Sequence, residues 1–454
     1  MVTIDRSRLE SLTRRELKRF GETHPTSRAM AERARASLFG GVPMPWMVRW
    51  PGGFPVFARE ATGATVIDVD GNRYVDLCLG DTGAMTGHSP AAAVAAIQAQ
   101  VGRGVTTMLP TEDAIWVGEE MTRRFGLPSW QFTLSATDAN RAALRLARAV
   151  TGRSKILVFN YCYHGTVDET VAVLLPGGAT GPRAGNLGPA VDPALTTKVV
   201  EFNDLVALEA ALAERDVACV LAEPALTNVG IVLPDPSYHA ALRDLTRRTG
   251  TLLLIDETHT FCAGPGGYTR AYGLEPDMLT IGKPIGSGIA SGALGVSAAV
   301  AEQVGAMIAE EYSDTGGIGG TLAGNALSLA AIRATLSRVL TDDAFTHMIG
   351  LGERFTAGVE QGIRDSGLPW QVTRLGCRAE YQFRPTAPRT GAEAAASFDG
   401  ELDQFMHLYA LNRGILLTPF HMMALMSPAT TAEDVDRHTA VFTEAIGELL
   451  AWHG

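Results

Sequence analysis

The stretch "DMLTIGKPIGSGIASGALG" occupies residues 277–295. Met278 to Ile281 reads as a short buried strand, followed by Gly282, Lys283 and a run of Gly, Ser and Ala. A lysine is costly to bury, so its place at the end of a core strand calls for a chemical reason. An amine in a partly dry site loses its proton more readily and becomes a nucleophile and a base. Small neighbours leave such a side chain room to swing.

Around this stretch, apolar runs alternate with helical patterns from about residue 90 to 330. The runs are "KILVF" (155–159), "VACVLAEP" (217–224), "TLLLIDE" (251–257) and "MLTIGK" (278–283). A helix over 137–150 puts Ala139, Ala143, Leu146 and Val150 on one face. Strands apolar on both faces, separated by helices, predict an α/β fold with a mostly parallel sheet covered on both sides. Upstream, "TVIDVDGNRYVDLC" alternates around Asp70-Gly71 and predicts a hairpin. The stretch "FGGVPMPWMVRWPGGFPVF" is too apolar for a solvated linker and is expected to pack over something. Downstream, helices near 341–365, 399–413 and 431–452 flank strand-like "CRAEYQF" and "GILLTP", a smaller α+β domain.

Composition narrows the function. The chain has 454 residues, 46% hydrophobic and 19% charged, with 49 Gly. Its 38 Lys and Arg against 49 Asp and Glu give a net charge of −11, which argues against nucleic-acid or anionic-membrane partners. No apolar run is long enough for a membrane span. The charged N-terminus lacks a signal-peptide core, so a cytoplasmic location is expected. Cys78, Cys162, Cys219, Cys262 and Cys377 show no CxxC spacing; free buried thiols are expected, with no metal site.

Functional groups in open α/β sheets gather at the carboxyl ends of strands. Here "TLLLIDE" delivers Asp256, "MLTIGK" delivers Lys283, and "KILVF" leads to Tyr163 and His164. In "FTLSATDANRAALRLARAV", Ser135, Ala136 and Thr137 stand where a strand passes into a helix, a place for a phosphate. A second small-residue stretch, "TGGIGGTLAGN", is read as opening a helix and carries Thr321. A P-loop is excluded, because Asp277 stands at its first Gly and Pro284 at its Ser/Thr. A phosphate site, a flat ring, a carboxylate and a lysine together match pyridoxal 5′-phosphate (PLP).

These motifs, in this order, resemble the class III aminotransferases of PLP fold type I. The nearest branch holds glutamate-1-semialdehyde aminomutase and the aryl β-amino-acid and amine transaminases. "LLLIDETHT" looks like the family's DEVMT, "CYHG" like its YHG, "LSATDAN" like its NSGTEAN and "GGTLAGNALSLAA" like its GTFxGNPLxxAA. The resemblance implies that Lys283 is the Schiff-base lysine and that Asp256 pairs with the pyridinium nitrogen. It implies that Tyr163 and Thr258 lie on the two ring faces, and that Glu223 lies near the cofactor. Ser135, Ala136 and Thr137 would hold the phosphate, helped by Thr321 of a neighbouring subunit in a homodimer with shared active sites. It implies a large PLP-binding domain over 66–335 and a C-terminal small domain over 336–454. Residues 1–65 would join the small domain and cover the pocket.

Two departures bear on chemistry. The family's phosphate-loop Gly is Ala136 here, which a negative φ would tolerate. Where amino-acid-specific relatives carry arginines, this chain has Trp46 and Phe420, with Arg49 and Arg378 as candidate substitutes, so an aromatic, Met-rich substrate pocket suited to apolar amines or bulky substrates is expected. The expected activity is transamination from an amine or amino-acid donor to an oxo-acid acceptor. A PLP-dependent aminomutase or an amino-alcohol phosphate lyase is the alternative on the same scaffold, and a non-catalytic PLP-fold binding module is a third reading.

Overall fold

The computed structural model describes residues 2–311 and 317–450, so Thr315 and Gly316 of "TGGIGGTLAGN" lie outside the described residues. The chain forms two compact units, Met1–Pro90 with Asp343–Ala387 and Ser397–Gly454, and Ala91–Asp342 with Pro388–Ala396.

The second unit is built on a seven-stranded sheet. In spatial order its strands are Ser129–Thr133, Gly292–Val296, Met278–Ile281, Leu252–Asp256, Val217–Ala222, Lys155–Phe159 and Thr197–Val200. Gly292–Val296 runs opposite to the other six strands. The four apolar runs singled out in the sequence form central strands, and Val217–Ala222 and Met278–Ile281 are buried at every position. Each fully buried Leu, Ile or Val here contributes about 1.5–3 kcal/mol relative to exposure. The Ala136–Thr151 helix packs Ala139, Ala143 and Leu146 into this core, with Val150 partly buried against it. It ends at Gly152, whose φ of +66° is left-handed and whose N–H donates to Arg148 O.

The first unit joins the N- and C-terminal segments. The helix Arg6–Thr23 is capped by Asp5 and packs Phe20 with Tyr74, Leu408 and Leu411. Strands Thr65–Asp68 and Arg73–Asp76 form the predicted hairpin, with Gly71 at φ +91°. The sequence boundary after 65 would fall inside the strand Thr65–Asp68, which pairs with Ala58–Thr62. The break falls after Pro90 instead, because Ile415–Leu416 pairs in parallel with Arg73–Asp76 and ties the hairpin to C-terminal chain. The second boundary falls after Asp342 rather than 335, at the start of the Asp342–Ser366 helix. "GILLTP" therefore does not pair with "CRAEYQF". The latter, Arg378–Gln382, lies between Gln371–Leu375 and Met423–Leu425 in an antiparallel sheet.

The Gly/Pro/Trp-rich stretch divides. Trp50, Phe54 and Val56 pack on the Phe20 cluster and Val42 is buried, whereas Phe39, Met44, Trp46, Met47 and Val48 are exposed, so the expectation of packing holds for part of the stretch. The five cysteines are free and buried, as expected. Among the described residues no helix is long and apolar enough to cross a membrane, and no His/Cys/Asp/Glu group is placed to hold a metal ion.

Candidate active site

Parallel strands converge their carboxyl ends, and all the large-unit site residues except Thr321 follow such ends. Asp256 closes its strand and is 3% exposed. Its Oδ1 accepts the Thr258 N–H at 3.0 Å. Its Oδ2 accepts from Asn140 Nδ2 at 2.9 Å and faces His164 Nδ1 at 3.0 Å. Burial opposes the charge on Asp256, yet His164 and these donors hold its carboxyl below the ordinary carboxylate range. Burial likewise opposes charge on His164, but Cys162 and Asp256 hold the imidazole well above its usual range. The site thus contains a buried carboxylate that stays ionised.

Asn140 is also braced, accepting from Thr280 Oγ1 at 2.6 Å and donating to His164 O. Sequence reasoning gave Asn140 no role, although it is the last residue of "LSATDAN". The role of His164 beside Asp256 was missed too, since a chain reading shows no contact between residues that distant in sequence.

Glu223 follows the Val217–Ala222 strand and is buried. Its Oε1 accepts the Tyr163 N–H at 3.2 Å and its Oε2 accepts from Thr227 Oγ1 at 2.5 Å. Burial pushes its carboxyl up. Tyr163 itself is half-buried. Lys283 follows the Met278–Ile281 strand, half-buried, with Nζ 2.6 Å from His259 Nε2. His259 and Thr227 were not foreseen either. The signal for His259 was in "DETHT", where the family motif DEVMT has Met.

Ser135 caps the Ala136–Thr151 helix, accepting from Asp138 N and donating to Asp138 Oδ2. Ala136 begins the helix and is not among the residues of positive φ. Thr137 Oγ1 accepts the Thr166 N–H at 3.2 Å, which leaves its own O–H to donate. This helix start is drawn against the strand that bears Lys283: a Cβ on Gly282 would lie 2.8 Å from Ala136 N. A Cβ on Gly165 would lie 2.0 Å from Thr137 Oγ1, so the "CYHG" turn also closes on it.

Thr321 does not open a helix. It is exposed in a turn, and the helix Ala326–Ala334 begins later, capped by Asn325, whose Oδ1 accepts from Ser328 N. The string of small residues contains φ values of +105° and +138° at Gly319 and Gly320, which helical backbone does not adopt.

In the first unit, Trp46 and Phe420 pack with ring centroids 5.2 Å apart, and Arg49 lies over Trp46. Arg378 is fully buried; its Nη2 donates to Thr82 Oγ1 at 2.5 Å and lies 3.8 Å from the Asp81 carboxylate, an ion pair. Asp81 and Thr82 hold φ values of +48° and +81°, an unfavourable region for L residues and most of all for a β-branched one. That loop keeps Arg378 engaged within its own unit.

The residues fit PLP. Asp256 is an ionised acceptor for a protonated ring nitrogen, and Thr258 Oγ1 is buried there with no hydrogen-bond partner among the described residues. The helix start at Ala136 and Thr137 offers N–H and O–H donors for a phosphate, and the side-chain-free Gly282 lets that helix start approach the lysine strand.

Comparison with known proteins agrees. Residues 47–446 match the family "Aminotransferase class-III". The glutamate-1-semialdehyde 2,1-aminomutase of Sorangium cellulosum is 34% identical over 429 residues, covering 93% of this chain and 96% of that protein. The solved structure of a glutamate-1-semialdehyde-aminomutase from Pseudomonas aeruginosa PAO1 superposes with a TM-score of 0.96 at 52% identity, covering 99% of this chain and 100% of that one. A form of the Pseudomonas protein has been solved in complex with PMP. A β-phenylalanine aminotransferase from Variovorax paradoxus superposes with a TM-score of 0.86 at 27% identity, covering 97% of each chain. With its PLP fold type I architecture and a site that fits PLP, the chain belongs to the class III aminotransferases, PLP-dependent enzymes.

Proposed function

We propose that the protein is a glutamate-1-semialdehyde 2,1-aminomutase, the alternative of the sequence reading, rather than a transaminase that needs a separate oxo-acid acceptor. The observation that carries this is the 52% identity and 0.96 TM-score to the Pseudomonas protein of that name, over essentially the whole of both chains. An ω-transaminase and a β-phenylalanine aminotransferase among the solved structures are less similar, at 29% and 27% identity.

Bound PLP supplies an electron sink for the substrate carbon that loses a proton. The chain's own groups do the rest. Lys283 Nζ would remove that proton and deliver it to the cofactor's C4′ carbon. Asp256, charged and buried, holds the proton on the ring nitrogen. Tyr163 and Thr258 would flank the ring, Ser135, Ala136 and Thr137 would bind the phosphate, and Glu223 would lie near the cofactor. Thr321 serves the site of a second copy.

The experiment is direct. Holoenzyme supplied with pyridoxamine phosphate is given glutamate-1-semialdehyde with no other donor or acceptor, and 5-amino-4-oxopentanoate is measured. Its formation supports the proposal. No product there, with oxo product from an amine panel plus pyruvate or 2-oxoglutarate, would overturn it in favour of transamination.

A further inference from the structure

The contacts of Lys283 continue inward. Its Nζ lies 2.6 Å from His259 Nε2, and His259 Nδ1 lies 2.9 Å from Thr227 Oγ1. Thr227 Oγ1 lies 2.5 Å from Glu223 Oε2. Thr227 and Glu223 are both buried. Three hydrogen bonds therefore run in an unbroken line from the amine to a carboxylate.

The line has a direction. A hydroxyl has one proton to give. With Glu223 ionised, Thr227 donates to it and accepts from His259 Nδ1–H, so His259 Nε2 carries a lone pair and accepts from Lys283. With Glu223 protonated, every bond reverses. Glu223 donates to Thr227, Thr227 donates to His259 Nδ1, and His259 Nε2–H donates to a neutral Lys283 amine.

We propose that His259, Thr227 and Glu223 form a proton relay that takes the ammonium proton from Lys283 whenever that side chain bears a free amine. The protons balance. The Nζ–H bond breaks as Nε2–H forms, Nδ1–H breaks as a new Thr227 O–H forms, and the old Thr227 O–H breaks as Glu223 O–H forms. Net charge is unchanged, and a half-buried ammonium and a buried carboxylate are replaced by two neutral groups, which a poorly solvated site favours.

The surroundings act in a defined way. Burial and the Asp256 carboxylate favour a proton on Glu223, while the charged His164 opposes it. Glu257 is turned away, accepting from Thr260 Oγ1 and from the N–H groups of Tyr268 and Thr269. A Met at position 259, as in the motif DEVMT, has no group able to pass a proton.

The inference rests on Lys283 being the reacting lysine, so the test scores the two separately. The full-length cofactor-free chain is reductively methylated with formaldehyde and cyanoborohydride, and the rate at Lys283 is read by peptide mass spectrometry. The exposed Lys18 serves as reference. An amine that must shed its proton to solvent gains about tenfold in rate per pH unit below its pKa. With the relay, Lys283 in the wild type stays within about threefold between about pH 6.5 and 8.5, because its proton goes to Glu223 rather than to solvent. Glu223→Gln removes the terminal acceptor. His259→Gln keeps a hydrogen-bond partner for Lys283 but cannot pass a proton. Both should restore the steep rise. A steep wild-type profile, or a flat one in His259→Gln, would overturn the relay, the latter reducing His259 to a positioning role. Borohydride fixation of cofactor to Lys283 is measured on the wild type in parallel. Its failure would sink the lysine assignment, whatever the pH profiles show.

Discussion

Asp256 is ionised in the interior because donors from three directions meet it: Asn140 Nδ2, His164 Nδ1 and the Thr258 N–H. Its pKa is lowered from 3.8, so its charge and the stability it brings are present above that value and fade as pH falls through the lower folded one. His164 is raised above 6.5, so its charged form contributes fully below 6.5 and is lost as pH rises through the elevated value. Both contributions are complete between pH 3.8 and 6.5, and the His164 part declines as pH rises above 6.5. Asp256→Asn keeps the shape but loses the charge. We expect kcat to fall on the order of 10²-fold or more, measured on cofactor-saturated enzyme; unchanged activity would refute the electrostatic role. Lys283→Ala should abolish borohydride fixation of cofactor to the chain, and labelling at another lysine in the wild type would refute the assignment.

At the scale of elements, the helix Ala432–Leu450 carries an acid-sensitive residue. His438 is fully buried beside Phe355, ring centroids 4.4 Å apart, and its Nδ1 has no hydrogen-bond partner among the described residues. Burial alone lowers its pKa from 6.5 to about 3. Below pH 6.5 the unfolded chain binds a proton there that the folded chain does not, so stability falls as pH falls, down to about pH 3. Between about pH 6.5 and 5 this residue accounts for a loss of about 2 kcal/mol. His438→Phe, which keeps the ring stack, should lose less of its thermal midpoint over that range than wild type. Equal losses in both proteins would show that acid acts elsewhere.

At the scale of the whole molecule, two groups of apolar side chains are exposed among the described residues. In one unit Phe39, Met44, Met47 and Val48 are exposed. In the other, Met108, Leu109, Ile115 and Leu322 are exposed, and the Ala326 N–H bond to Val105 O brings the Met108 loop beside the Thr321 turn. Contiguous exposed apolar residues mark an interaction surface, and a second copy of the chain would cover it symmetrically. We expect a homodimer by sedimentation. Met108→Asp with Leu322→Asp should shift it toward monomer and weaken cofactor retention. A wild-type monomer with full activity would rule out shared sites.

The sequence by itself determined the sheet and which polar residues follow its strands. Doubly apolar strands such as "KILVF" can be satisfied only between two layers, and parallel strands bring their ends, with Asp256, Glu223 and Lys283, to one edge. Those are local facts of period and burial, legible without contacts. The unit boundaries depended on a pairing between Arg73–Asp76 and Ile415–Leu416, more than 300 residues apart, which no local pattern encodes. The start of the helix after Thr321 was misread because small residues fit a phosphate loop and a glycine turn equally well; the Asn325 cap decided it. His164, Asn140, Thr227 and His259 were invisible as a set for the same reason. Each is an ordinary polar residue in sequence, and only the fold places Asn140 and His164 on Asp256, and His259 and Thr227 between Lys283 and Glu223, where burial turns a hydrogen bond into control of a proton.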